Sequence, residues 1–144
     1  MSEAFEYPEL IDRAISAYED DDGAERIRAG FEAAAMRPVT LRANTAKASA
    51  DSVAEALRAA GIGFTRVSWY DDAFVLDDDV CERDAWELPI YREGDIYLQS
   101  LSSMLPPLVL GPRAGADALD MCAAPGGKTS QLYALASGRA HITA

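Results

Sequence analysis

Between Asp120 and Thr129 the chain reads DMCAAPGGKT, a run of small residues and glycines between an apolar stretch and a helical one. Glycines at such a turn let the backbone come close to a ligand. The helix that follows presents free N–H groups and a partial positive charge, an end able to hold a carboxylate or a phosphate. Pro125 stiffens the turn, and Lys128 adds positive charge at the helix start. Two ligands fit this pattern. One is a nucleotide phosphate: Gly127-Lys128-Thr129 supplies the end of a GxxxxGK[ST] loop, but Cys122 stands where its first glycine belongs. The other is S-adenosylmethionine, whose amino-acid carboxylate and ribose can lie across a strand end. A tight strand-to-helix turn with no ligand stays open beside both.

The remaining chemistry-bearing residues are few. Two cysteines, Cys81 and Cys122, form no CxxC pair, and with His141 as the one histidine the soft-ligand set is too small for a transition-metal centre. No metal site is expected. Cys122 precedes a helix N-terminus, which lowers a thiol pKa, yet it reads as a packed loop thiol. Cys81 lies among Asp77–Asp79, Glu82 and Asp84, whose charge disfavours a thiolate. No residue is assigned a catalytic role.

The elements that position the loop follow from periodicity. Of the 144 residues, 49% are hydrophobic, enough for a packed core. Leu10, Ile11, Ala14, Ile15 and Tyr18 recur at helical spacing, and a second helix is expected from Ala24 to Met36 with Ile27, Phe31, Ala34 and Ala35 inward. Val39–Ala43 alternates as a strand. Ala50–Ala60 reads as a helix with Ser52 and Glu55 as a capping box and Gly61 as its stop. Phe64–Tyr70 and Phe74–Leu76 are strand-like, and the acidic runs Glu19–Asp22 and Asp71–Asp79 read as solvated loops. Trp69 and Trp86 are expected in the core. A small mixed α/β domain over residues 1–88 is the result.

The second part, 89–144, has a short strand at Ile96–Leu98. A segment Ser100–Leu110 follows, in which Pro106 and Pro107 limit any helix. Ala116–Met121 reads as a buried strand, Lys128–Ala136 as an amphipathic helix with Leu132, Leu135 and Ala136 inward, and Ala140–Thr143 as another strand. Strand, glycine loop, helix, strand is the first βαβ unit of a Rossmann-like parallel sheet. Two parallel strands alone bury too little of themselves, so residues 89–144 read as an incomplete domain and the chain as a fragment.

Charge bounds the partners. A net charge of −11 argues against a surface built for phosphates. No apolar run approaches the roughly 20 residues that span a bilayer, and MSEAFEYPELIDRA lacks a basic start. The expectation is a cytoplasmic protein with no membrane partner.

The stretch LDMCAAPGGKTSQL resembles the first cofactor motif of the Nol–Nop–Sun (RsmB/RsmF-like) family of RNA cytosine-5 methyltransferases. GDIYLQSLSSML at Gly94–Leu105 is similar to that family's G-x-x-Y-x-Q-E-x-S-S-M-L segment, with Ser100 in place of the glutamate. Leu41-Arg42-Ala43-Asn44-Thr45 with Lys47 is similar to its L-R-x-N-T-x-K segment. The resemblance implies S-adenosyl-L-methionine as cofactor, held by Cys122, Ala123, Ala124, Pro125, Gly126, Gly127 and Lys128. It implies RNA, in particular ribosomal RNA, as partner; by their types, Arg42, Asn44 and Lys47 are either positioning contacts to its phosphates or a polar cluster at a strand end. The reaction it implies needs two cysteines in Pro-Cys and Thr-Cys-Ser motifs, and neither motif occurs here. The chain alone is therefore expected to be inactive. A non-catalytic RNA- or partner-binding module is the alternative, and a P-loop-like phosphate binder the lesser one.

Overall fold

The computed structural model describes residues 9–17 and 21–144. The chain divides into two compact units after Arg37.

The first unit holds helices α1 (Glu9–Ser16) and α2 (Asp21–Ala35). α2 begins ahead of the expected Ala24, because Asp21 and Asp22 favour a helix N-terminus rather than a loop. Ile15 and Ala24 are buried, whereas Phe31 and Ala34, expected inward, are exposed. An 8-residue α1 cannot cover all of a 15-residue partner. The expectations for Tyr18 and for the side chains of Leu10 and Ala35 lie outside the described residues.

The second unit is built on four strands: β1 (Thr40–Ala43), β2 (Phe64–Val67), β3 (Tyr70–Leu76) and β4 (Ile96–Leu98). They lie in the order β2-β3-β1-β4, every neighbour antiparallel. β1 pairs with β3 through Leu41↔Phe74 and with β4 through Leu41↔Leu98. Helix α3 (Ala50–Ala59) links β1 to β2, and α4 (Glu82–Glu87) with α5 (Pro89–Arg92) links β3 to β4. Two interleaved βαβ units of this kind make a ferredoxin-like sheet. Leu88 alone separates α4 from α5, and β4 joins the sheet from beyond residue 88.

Strand alternation gives the sheet two working faces. Leu41, Ala43, Phe74 and Leu76 point to one, where Val53, Ala54 and Leu57 of α3 and Ala85 of α4 close the core. Ala73 points to the other, with Val67 and Tyr70, against Met104 of α6 (Leu101–Leu110). Ser49 caps α3 by accepting the Ser52 N–H at 3.1 Å, one turn earlier than the expected capping box. The β2–β3 turn sits at Ser68–Trp69, not at the aspartates, so Asp71 and Asp72 lie on β3. Trp69 at that tip is 48% exposed and Trp86 on α4 is 46% exposed, both outside the core expected for them.

α6 runs straight through Pro106 and Pro107 to Leu110. Pro107 has no N–H for the Ser103 carbonyl, and the Gln99 side-chain amide takes that carbonyl at 3.0 Å instead. Beyond Gly111, β5 (Asp117–Leu119), α7 (Gly127–Leu135) and β6 (His141–Thr143) form the expected parallel βαβ unit. β5 is shorter than Ala116–Met121 and less buried, with Leu119 66% exposed, since β6 is its one strand partner among the described residues.

Candidate functional site

The turn between β5 and α7 is held from within by Asp120. Its Oδ1 accepts the Cys122 N–H at 2.9 Å and its Oδ2 accepts the Thr129 hydroxyl at 2.6 Å. These bonds, Thr129's first, hold the Asp120 carboxyl below the usual aspartate range. A depressed pKa means stability that is present above the unfolded value and lost as pH falls through the folded one. The loop is therefore expected to loosen below about pH 4, and Asp120→Asn to flatten that response; amide exchange at Cys122 and Ser130 across pH 3–6 reads both.

Gly126 enters the helix at φ 107°, in the left-handed region that favours glycine. At Gly127 a Cβ would lie 3.1 Å from Tyr97 Cε1 and 3.2 Å from Gln99 Oε1, so its small size also serves packing against the end of β4. Among the described residues the N–H groups of Gly127, Lys128 and Thr129 have no acceptor, as the first turn of a helix leaves them. Lys128 Nζ reaches back to the Ser103 hydroxyl at 3.3 Å. Cys122, Ala124 and Pro125 are exposed, and Cys122 is a free thiol.

An open depression of about 580 Å³ lies against this turn, lined by Ala123, Gly126, Thr129, Ser130, Tyr133, Ala140, Ile142 and Ala144. That volume is in the range of small-molecule sites. Its wall is small and apolar, with two hydroxyls at the helix start.

Arg42 is fully buried and faces α7, so it offers no surface to a phosphate. Its Nε donates to Gln99 Oε1 at 2.9 Å, and its Nη2 donates to the Gly127 carbonyl at 3.0 Å and to Ser130 Oγ at 2.7 Å. Burial pushes the guanidinium below its ordinary pKa, with partial compensation from nearby Tyr70, Tyr97 and Asp72. Gln99 Nε2 donates on to Gln131 Oε1, and Gln131 Nε2 to the Met104 carbonyl, each at 3.0 Å. β1, β4, α6 and α7 are thus joined by one buried polar network. Sequence reading missed Gln99, Gln131 and Tyr97; the signal available was a glutamine beside Leu132 on the buried side of α7.

Asn44 and Lys47 serve the turn after α5. Asn44 Nδ2 donates to the Gly94 carbonyl at 2.8 Å and Lys47 Nζ to the Glu93 carbonyl at 2.6 Å, satisfying carbonyls at a helix end. Of the three residues expected to meet RNA, only Lys47 is exposed.

Known proteins give the comparison. Residues 8–81 match the model of the RsmF/B-like methyltransferase ferredoxin-like domain, and residues 107–144 that of the 16S rRNA methyltransferase RsmB/F family. A human 28S rRNA (cytosine(4447)-C(5))-methyltransferase is 41% identical over 100 residues, 69% of this chain and 12% of that protein. Ribosomal RNA small subunit methyltransferase F of Shewanella sp. (strain MR-4) is 35% identical over 118 residues, 79% of this chain and 24% of its own length. The crystal structure of a methyltransferase homolog protein from Pyrococcus horikoshii superposes with TM-score 0.69 at 33% identity, covering 94% of this chain and 43% of that one. The chain spans between about an eighth and a quarter of the first curated relatives, 12% to 26% of their lengths.

Proposed function

The chain belongs to the RsmB/F methyltransferase family, and from that premise we propose that it supplies the ferredoxin-like domain and the cofactor loop of an S-adenosyl-L-methionine-dependent enzyme that makes 5-methylcytosine in ribosomal RNA. The observation that carries this reading is the Asp120 carboxylate beneath the loop, tied to Cys122 N–H and Thr129. It places a negative charge where a P-loop would wrap a phosphate, and it takes up the Cys122 N–H that such a loop would aim at one. A triphosphate is repelled there. A ligand that pairs a carboxylate with a sulfonium and an ammonium is favoured: the carboxylate meets the N–H groups of Gly127 and Lys128, and the cationic part lies toward Asp120.

Cys122 to Lys128 form the cofactor loop in this proposal, and the depression beside Tyr133 and Ile142 receives the rest of the ligand. The sulfonium, when bound, supplies the methyl group. The chain's own residues bind and orient; with no Pro-Cys or Thr-Cys-Ser motif present, no covalent step is placed on Cys81 or Cys122. The RNA-facing part runs through β4, which completes the ferredoxin-like sheet, and the residues after Leu98 open the methyltransferase domain. Among the three RNA contacts proposed, Lys47 has the exposed ammonium a phosphate needs, while Arg42 and Asn44 support the fold around it. No helix among the described residues is long and apolar enough to cross a membrane, and a cytoplasmic site of action accompanies the reading.

Titrating the ¹⁵N-labelled chain distinguishes the ligands. S-adenosylmethionine is expected to shift the amides of Ala123 to Thr129 with weak affinity, and ATP–magnesium to leave them in place. Shifts with ATP–magnesium alone would overturn the assignment.

A further inference from the structure

Three consecutive carbonyls at the start of α7 are each held by a side chain. The Tyr97 hydroxyl donates to the Pro125 carbonyl at 2.9 Å, the Ser130 hydroxyl to the Gly126 carbonyl at 2.8 Å, and Arg42 Nη2 to the Gly127 carbonyl at 3.0 Å. The three clamps are themselves connected. Arg42 Nη2 also donates to Ser130 Oγ at 2.7 Å, and its guanidinium lies over the Tyr97 ring, 5.5 Å from the centroid. Because each peptide unit is planar, fixing a carbonyl fixes the N–H of the next residue on the opposite side. Holding Pro125, Gly126 and Gly127 therefore aims the N–H groups of Gly126, Gly127 and Lys128.

The two glycines cannot do this for themselves, since they lack the side chains that restrict a backbone. Electrostatics makes the placement of Arg42 unusual. A cation at the positive end of a helix is held against the helix dipole, and this one is fully buried with no carboxylate of the described residues within salt-bridge distance. Stability alone does not favour a buried guanidinium there. An anionic group arriving at the same helix start would offset that charge.

We infer that Arg42, projecting from the ferredoxin-like sheet, is a positioning residue for the cofactor loop, setting the direction of the N–H groups that receive the ligand's carboxylate. This rests on the S-adenosylmethionine reading above for the identity of the ligand, but not for the geometry of the brace.

Arg42→Lys retains the charge and loses the planar fork that reaches Gln99, Gly127 and Ser130 together. Amide relaxation and S-adenosylmethionine titration on the labelled full chain test it. The order parameters of Gly126, Gly127 and Lys128 are expected to fall from about 0.85 toward 0.6. Affinity is expected to weaken about tenfold, the loss of one or two charge-assisted hydrogen bonds. Amide exchange across the β1–β3 pairing stays as in the parent, which a general loss of folding would not allow. Arg66→Lys, at an exposed ion pair with Asp51, is the control and changes neither reading. If Arg42→Lys does not fold, Ser130→Ala, which removes Arg42's hydroxyl partner, decides in its place with the same direction of change. Unchanged loop order parameters overturn the brace whatever binds. Intact binding in the variant likewise overturns it. No binding by the parent chain overturns the cofactor reading, and the order parameters then judge Arg42 alone.

Discussion

Replacing Gln99 with leucine is expected to lower the stability of the 38–144 unit by about 3–5 kcal/mol, since each buried polar group left without a partner costs about 1–3 kcal/mol. Gln99 Oε1 accepts from Arg42, and its Nε2 donates to the Ser103 carbonyl and to Gln131 Oε1. Leucine fills the same space and answers none of them. Arg42 Nε is the worst affected, being charged and buried. Every buried side-chain polar atom in the described structure has a partner at present, so the network has no slack to redistribute. Urea denaturation at pH 7 gives the difference directly, and a unit of this size should melt about 4–8 °C lower per kcal/mol. A leucine variant within about 1 kcal/mol of the parent would mean water or rearranged side chains satisfy these groups.

Phe74→Ala is expected to have an effect of similar size, about 3–5 kcal/mol, by opening a cavity in the opposite face of the sheet. Phe74 is fully buried in the cluster with Leu41, Leu57 and Leu76. The Phe64 ring meets it edge-on at 5.2 Å, and the Arg66 guanidinium lies 5.4 Å from its centroid. Native stabilities are about 5–15 kcal/mol, so the loss removes between about a fifth of the stability and all of it. Near-ultraviolet circular dichroism and urea midpoints read the loss; Phe74→Leu should recover most of it, because it restores much of the volume.

These two sites also mark what the amino-acid sequence made legible. The apolar face was readable because its signals are local: Val53, Ala54 and Leu57 recur at helical spacing, and Leu41, Phe74 and Leu76 alternate. The glycine turn before α7 was readable for the same reason, its strand, glycines and helix being contiguous. The polar network was not, because its partners are far apart in the chain. Arg42 meets Gln99 57 positions on, Gly127 85 positions on and Ser130 88 positions on. Read locally, an arginine near an asparagine and a lysine looks like a phosphate contact; only the folded sheet turns it inward. Pro106 and Pro107 were misread for a different reason. A proline pair ends a helix unless another group takes the freed carbonyl, and the Gln99 side chain, just ahead of the helix, takes that of Ser103. The tryptophans failed in the other direction. Size and apolarity argue for burial, but Trp69 occupies a two-residue hairpin tip and stays half exposed there, stacked on Tyr70.

The pairing of β4 with β1 bears on synthesis from the ribosome. Leu41 and Arg42 leave the tunnel long before Tyr97 and Leu98, the residues that complete the sheet beside them. Until then β1 is an open edge, free to pair with any other strand within reach. Cutting the polypeptide after Leu88 would make that transient state permanent. A dissected 1–88 piece should accordingly self-associate, and extending it by the ten residues through Leu98 should restore a monomer.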